Sequence, residues 1–296
     1  MDSFLNNLGT VAVYVFILTS MFLTGLMVTV ADLIAPVHDR RLLTLSLFAN
    51  FLLVPMIAIV LIILIPMNPQ LAAGLLLISI AAGAPSTGKV AQFTGGNVAK
   101  AVSLTIIMTI ATVVIMPFLV PVILPGAQAD PLYVLGNLVV LILVPILLGI
   151  LIKSRSETLA ARLRPVMDWT SNISIAVIFL TFGVIFLSRI REIVSTSSGA
   201  IAVVVAILFT LAALGLTYMI GRFDMDARQD LAFGAGFRNA TAALVVVFAS
   251  FSNIQNDVLL MVLMVTIFSI IIVSILVGII FKKRLDAEKK ANSGAI

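Results

Sequence analysis

Residues 233–243 read FGAGFRNATAA and lie inside an apolar run that extends from about Leu231 to Phe251. A run of about 20 apolar residues matches the ~30 Å hydrocarbon core of a bilayer, so this one reads as a membrane span. Arg238 stands in its middle, where a charge costs about 2.5–3.5 kcal/mol on insertion scales. Such a side chain persists where it meets a cavity, a partner or a solute. Residues 81–92, AAGAPSTGKVAQ, have the same build. The step Gly83-Ala84 matches Gly234-Ala235, then Pro85 and Gly88 stand where the other stretch has Gly236, and a cation follows, Lys89. Proline removes a backbone donor and glycine tolerates open conformations, so both spans are predicted to unwind locally. The freed backbone groups are tolerable at membrane depth only where they line a polar cavity.

The 296-residue chain agrees with that reading throughout. It is 61% hydrophobic with a mean hydropathy of +1.24, and 10% of its residues are charged. A soluble domain carries roughly a quarter charged residues, so there is too little charge here to cover a water-exposed surface. The sequence predicts an all-α polytopic membrane protein. It has no cysteine, which excludes disulfides, thiolate metal sites and cysteine nucleophiles. The single histidine, His38, has no second histidine with which to share a metal, and no cofactor is implied. The N-terminus MDSFLNNLG lacks the basic region of a secretory signal, so the first apolar segment is expected to be retained.

Nine apolar segments separate at polar clusters: 9–34, 42–66, 70–94, 98–124, 131–152, 168–188, 199–221, 229–252 and 257–281. Alternate loops from the first onward hold Arg40 and Arg41, Lys100, the group Lys153, Arg155, Arg162 and Arg164, then Arg222 and Arg228, and finally the tail from Lys282 to Lys290. The opposite loops hold only Arg189 and Arg191. The positive-inside rule therefore puts the C-terminus in the cytoplasm and the N-terminus outside, in a multi-pass cell membrane protein, the inner membrane in a prokaryote. The net charge of +5 is explained by this topology and needs no nucleic-acid partner. The tail FKKRLDAEKK reads mainly as a stop-transfer flank and secondarily as a patch for anionic lipid. The two interrupted spans, the third and the eighth, are five apart. An odd separation reverses the second copy, which is the trace of an inverted repeat whose discontinuous helices cross near the midplane.

At these residues the chain resembles the bile acid:sodium symporter family. The resemblance rests on FLTGLMVTVADL (22–33), FANFLLVP (48–55), GGNVAKAVSLT (95–105) and DARQDLAFGAGFRNATAA (226–243). It implies two inverted five-helix repeats divided into a core and a panel domain. With nine spans, this chain looks like a member lacking the first helix: residues 1–152 would form the first repeat and 153–296 the second. The core would hold spans 42–124 and 199–281, and the panel 9–34, 131–152 and 168–188.

The same resemblance places the family's sodium-site positions at Asn50, Ser86, Thr87, Ala101, Thr105, Gly234 and Arg238. The glutamate shared by both sites falls at Gly234, a glutamine at Arg238 and a serine at Ala101, while Asn50 and Thr105 are retained. Arginine has donors and no acceptor, so Arg238 cannot ligate a cation. The expectation is that Arg238, bonded to Asn50 and to carbonyls of the opposing broken helix, and Lys89 stand in for the two sodium ions and prepare a pocket for a small organic anion. Candidate substrate contacts are Lys89, Arg238, Asn239, Thr241, Gln92, Asn97 and Thr109, although helix–helix bonding explains the polar ones equally well. The implied function is secondary transport by alternating access, sodium-independent, with Lys89 as a candidate proton carrier. The alternatives are a sodium-coupled symporter with a degenerate site and a non-transporting receptor or scaffold. An intramembrane enzyme is not expected, because no acidic pair, histidine pair or thiol lies at depth.

Overall fold

The computed structural model describes residues 2–123, 130–195, 197–221, 225–250 and 256–293. Among them the protein is helical throughout, without strands. The order is α1 (Asp2–Leu26), α2 (Val30–His38), α3 (Arg40–Phe48), α4 (Val54–Leu64), α5 (Pro69–Ile80), α6 (Thr87–Thr94), α7 (Val98–Ile123), α8 (Pro131–Leu138), α9 (Val144–Arg155), α10 (Glu157–Ser195), α11 (Ser197–Ile220), α12 (Met225–Gly236), α13 (Ala240–Ser250) and α14 (Asn256–Ser293). Seven helical stretches among the described residues are long and apolar enough to cross a membrane. The chain is thus an all-α polytopic membrane protein, as its composition predicts.

Two helix pairs run on through a π-helical turn, α3 into α4 at Ala49–Leu53 and α8 into α9 at Val139–Leu143. Each turn is followed closely by a proline, Pro55 or Pro145. A proline ring clashes with the carbonyl four residues before it, and widening that turn removes the clash without ending the helix. In the first pair the wide turn holds Asn50, which is buried.

The expected third and eighth spans are each interrupted, between Ile80 and Thr87 and between Gly236 and Ala240. The first span departs from expectation. Instead of one segment over 9–34, α1 stops at Leu26 and α2 restarts at Val30. Thr29 and Asp32 close a capping box there: the Thr29 N–H donates to the Asp32 carboxylate at 2.9 Å and the Asp32 N–H donates to Thr29 Oγ1 at 3.3 Å. The sixth span is longer than expected, because α10 begins at Glu157 and carries helix through the basic stretch read as a loop.

Packing joins α1 chiefly to α9 and α10, and a second set links α5 with α14, α11 with α12 and α14, and α6 with α7. At the α1–α9 crossing a Cβ on Gly25 would lie 2.1 Å from the Ile146 carbonyl oxygen, and one on Gly149 would lie 2.4 Å from that of Phe22. The two backbones touch, as small residues permit in membranes. Arg164 of α10 then caps the end of α1, donating from Nε and Nη2 to the Leu26 carbonyl at 2.9 and 2.7 Å.

Candidate functional site

The two helix breaks meet. The segment after α5 is held by the hydroxyls of α7: Thr112 Oγ1 donates to the Ala82 carbonyl at 3.1 Å and accepts from the Ala82 N–H at 2.9 Å, and Thr109 Oγ1 donates to the Gly83 carbonyl at 3.0 Å. Gly83 has φ +82°, a left-handed conformation that a side chain resists, and a Cβ there would fall 2.3 Å from Thr109 Oγ1. From the other break, the Asn239 N–H donates to the Ala81 carbonyl at 2.8 Å and its amide nitrogen to the Gly83 carbonyl at 2.9 Å. The Asn239 amide oxygen accepts from the Ala242 N–H at 3.0 Å, so the residue also caps the start of α13. These bonds satisfy backbone groups that would be orphaned at an interrupted span.

Arg238 lies beside this crossing and is 4% exposed. Nη1 donates to the Asn50 amide oxygen at 2.6 Å, Nε to the Ile78 carbonyl at 3.2 Å, and Nη2 to the Ser79 carbonyl. Ile78 and Ser79 belong to the last turn of α5, whose carbonyls carry the negative end of the helix dipole. A hydrogen bond involving a charged group contributes about 1.5–3 kcal/mol, so three of them exceed the insertion cost of one guanidinium. Asn50 is oriented for this contact by its own amide nitrogen, which donates to the Ser46 carbonyl at 2.9 Å. The guanidinium is therefore a fixed, buried positive group beside the crossing.

A small cavity adjoins it, with about 10 Å³ of space, enough for one water-sized particle. Of the expected ion-site positions it gathers Asn50, Thr87, Ala101, Thr105 and Gly234. Ser86 is instead exposed at the start of α6. Besides Leu104 and Met108, three further residues that the sequence does not mark as ion-site positions line the cavity: Ser46, Gly83 and Asp230. Thr87 and Thr105 spend their hydroxyl hydrogens on the carbonyls of Ala84 (2.6 Å) and Ala101 (2.8 Å), which leaves lone pairs for any occupant. Ser46 Oγ is buried with no hydrogen-bond partner. Helical spacing could have found two of the three, because Ser46 is four residues before Asn50 and Asp230 four before Gly234, one turn along the same face.

The remaining expected residues divide. Thr109 and Thr241 are buried near the crossing, at 2% and 1% exposure. Gln92 and Asn97 are exposed, and Asn97 caps α7 by accepting from the Lys100 N–H at 3.0 Å. Lys89 is not brought to Arg238. Its ammonium pairs with Asp168 of α10 at 2.5 Å, and its side chain is 47% exposed. Matching positions in similar motifs pair Lys89 with Arg238 in the sequence, but α6 turns that side chain outward. Among the described residues no three His, Cys, Asp or Glu side chains gather as a metal cluster would require.

The family model described as the Sodium Bile acid symporter family matches residues 14–196. That stretch includes Asn50, Thr87, Lys89 and Thr105 but ends before Arg238. The probable sodium/metabolite cotransporter BASS1, chloroplastic, of Arabidopsis thaliana is 24% identical over 216 residues, which covers 70% of this chain and 53% of that protein. The chain thus spans about half the length of the curated relative it matches.

Proposed function

Because the chain belongs to the sodium bile acid symporter family and is therefore a membrane transporter rather than an enzyme, we propose that it carries small organic anions without sodium, by alternating access around the crossed helix breaks. The observation that carries this reading is Arg238, bonded to Asn50 and to the α5 carbonyls. The resemblance puts the second ion's position at Arg238, and a permanent positive charge there leaves no place for a cation. The charge biases the crossing towards an anionic solute. In this reading α3–α7 with α11–α14 move as the core, and α1, α2, α8, α9 and α10 form the panel. Residues 1–152 and 153–296 are the two inverted repeats, in an inner membrane with the C-terminus cytoplasmic. Lys89, paired with Asp168, lies where α6 faces α10, between the proposed moving units.

A second reading is favoured by the small cavity. Ser46, Thr87, Thr105 and Asp230 offer hydroxyl lone pairs and a carboxylate around space for one particle, a donor set suited to a single hard monovalent cation. Sodium would then be a co-transported substrate, one ion per cycle.

Uptake of a panel of radiolabelled carboxylates and sulfonates into proteoliposomes, with and without a sodium gradient, separates the two. Equal uptake under both conditions is expected. Sodium stimulation that disappears in Asp230→Asn supports the second reading and removes the first. Reinstalling the family's residues with Gly234→Glu and Arg238→Gln is expected to create sodium dependence, since no atom lies within 4 Å of a Cβ built at Gly234.

A further inference from the structure

We propose that the crevice between α11, α12 and α14 binds an anionic phospholipid, one acyl chain lying along its apolar walls and the phosphate resting on Lys283. The crevice measures about 520 Å³, within the roughly 300–1,000 Å³ of pockets that hold drug-sized ligands. Leu211 and Leu276 stand at its mouth, 49% and 37% exposed on the outer surface of the bundle, while Leu214 and Phe233 close its floor at 6% and 5%. From Leu276 to Lys283 the lining of α14 rises about 10 Å, a third of the ~30 Å hydrocarbon core. The opening therefore runs inward from the membrane interface.

Its outer end carries the charge. Lys283, just beyond Phe281 where the apolar course of α14 ends, lines the crevice itself. Tyr218 lines the same crevice, with the Arg228 guanidinium 5.3 Å from its ring centroid. Basic residues at an anionic surface contribute about 1 kcal/mol each, and burying acyl methylenes about 0.8 kcal/mol each. A soluble anion would use the rim and leave the walls bare, and a neutral lipid would use the walls and leave the rim unmatched. An anionic lipid uses both. The floor gives occupancy a route to the crossing, because Leu214 packs so closely on Gly236 that a Cβ there would fall 2.2 Å from Leu214 Cδ2, two residues before Arg238.

The test is native mass spectrometry and thermal unfolding of the full chain in neutral detergent, with phosphatidylglycerol or phosphatidylcholine of identical acyl chains. Phosphatidylglycerol should be retained and should raise Tm more than phosphatidylcholine does. Gly215 lines the crevice and a Cβ built there meets open space, so Gly215→Phe places a ring into it and should abolish the phosphatidylglycerol response. Lys283→Gln should erase the difference between the lipids while leaving the phosphatidylcholine response intact. Equal responses to both lipids in the wild type, a full response in Gly215→Phe, or displacement of bound lipid by short-chain soluble carboxylates would each overturn the proposal. None of these readouts depends on transport, so the site stands or falls separately from the proposed function.

Discussion

Arg238 is costly as a membrane residue taken alone and stabilising where it lies. Its fork reaches an amide oxygen on one helix and two terminal carbonyls of another, a geometry that a point-like ammonium cannot reproduce. Arg238→Met would leave the Ser79 carbonyl and the Asn50 amide oxygen buried without this partner, at about 1–3 kcal/mol each. The expected loss is about 2–6 kcal/mol, read as a Tm drop on the order of 10 °C in detergent, together with at least tenfold slower anion uptake. Arg238→Lys should recover part of the uptake and less of the stability. An unchanged Tm in the methionine variant would contradict the bonding described here. Of the two parts that the sequence allows Asn239, solute contact and helix–helix bonding, the second is visible here: its backbone N–H and both ends of its amide fasten the crossing.

At the scale of elements, the two breaks complete each other. Each break satisfies part of its own backbone and the two share the rest, the Asn239 backbone and side-chain N–H groups donating to the Ala81 and Gly83 carbonyls. The Lys89–Asp168 contact differs in kind, for it joins two helices that remain separately satisfied. Exposed ion pairs contribute about 0–1 kcal/mol, so Asp168→Asn should move Tm by no more than about 2 °C. If α6 and α10 belong to units that slide past each other, the same substitution should change the uptake rate several-fold. The exchanged pair, Lys89→Asp with Asp168→Lys, should return it towards the wild-type value. Failure of the exchange to restore uptake would mark the contact as incidental to movement.

Over the whole molecule, charge placement and packing make separate contributions. The basic loops predict which side each connection faces, while close crossings such as Gly25 on Gly149 determine which helices are neighbours. The absence of native cysteine makes the orientation directly measurable. In intact cells a membrane-impermeant maleimide should label Gln70→Cys, at the exposed start of α5, and should reach Thr158→Cys, at the exposed start of α10, only after permeabilisation. The reverse pattern would invert the proposed topology.

The helical membrane class and both interruptions are legible in the residue order, because hydrophobic length and Gly/Pro punctuation act locally. It also marked Arg238 and Asn50 as members of one site, through their positions in recognised motifs. The Thr29–Asp32 capping box that divides the first segment was legible as a T-x-x-D pattern and was absorbed into a longer apolar run. Three outcomes come from packing alone: Lys89 turns to Asp168, Ser46 and Asp230 face the small cavity, and α11, α12 and α14 leave a crevice beneath Lys283. Those outcomes depend on how each helix is rotated about its axis and on which neighbour it meets. Rotation is set by the summed packing of side chains far apart in the chain, so no single stretch of residues records it.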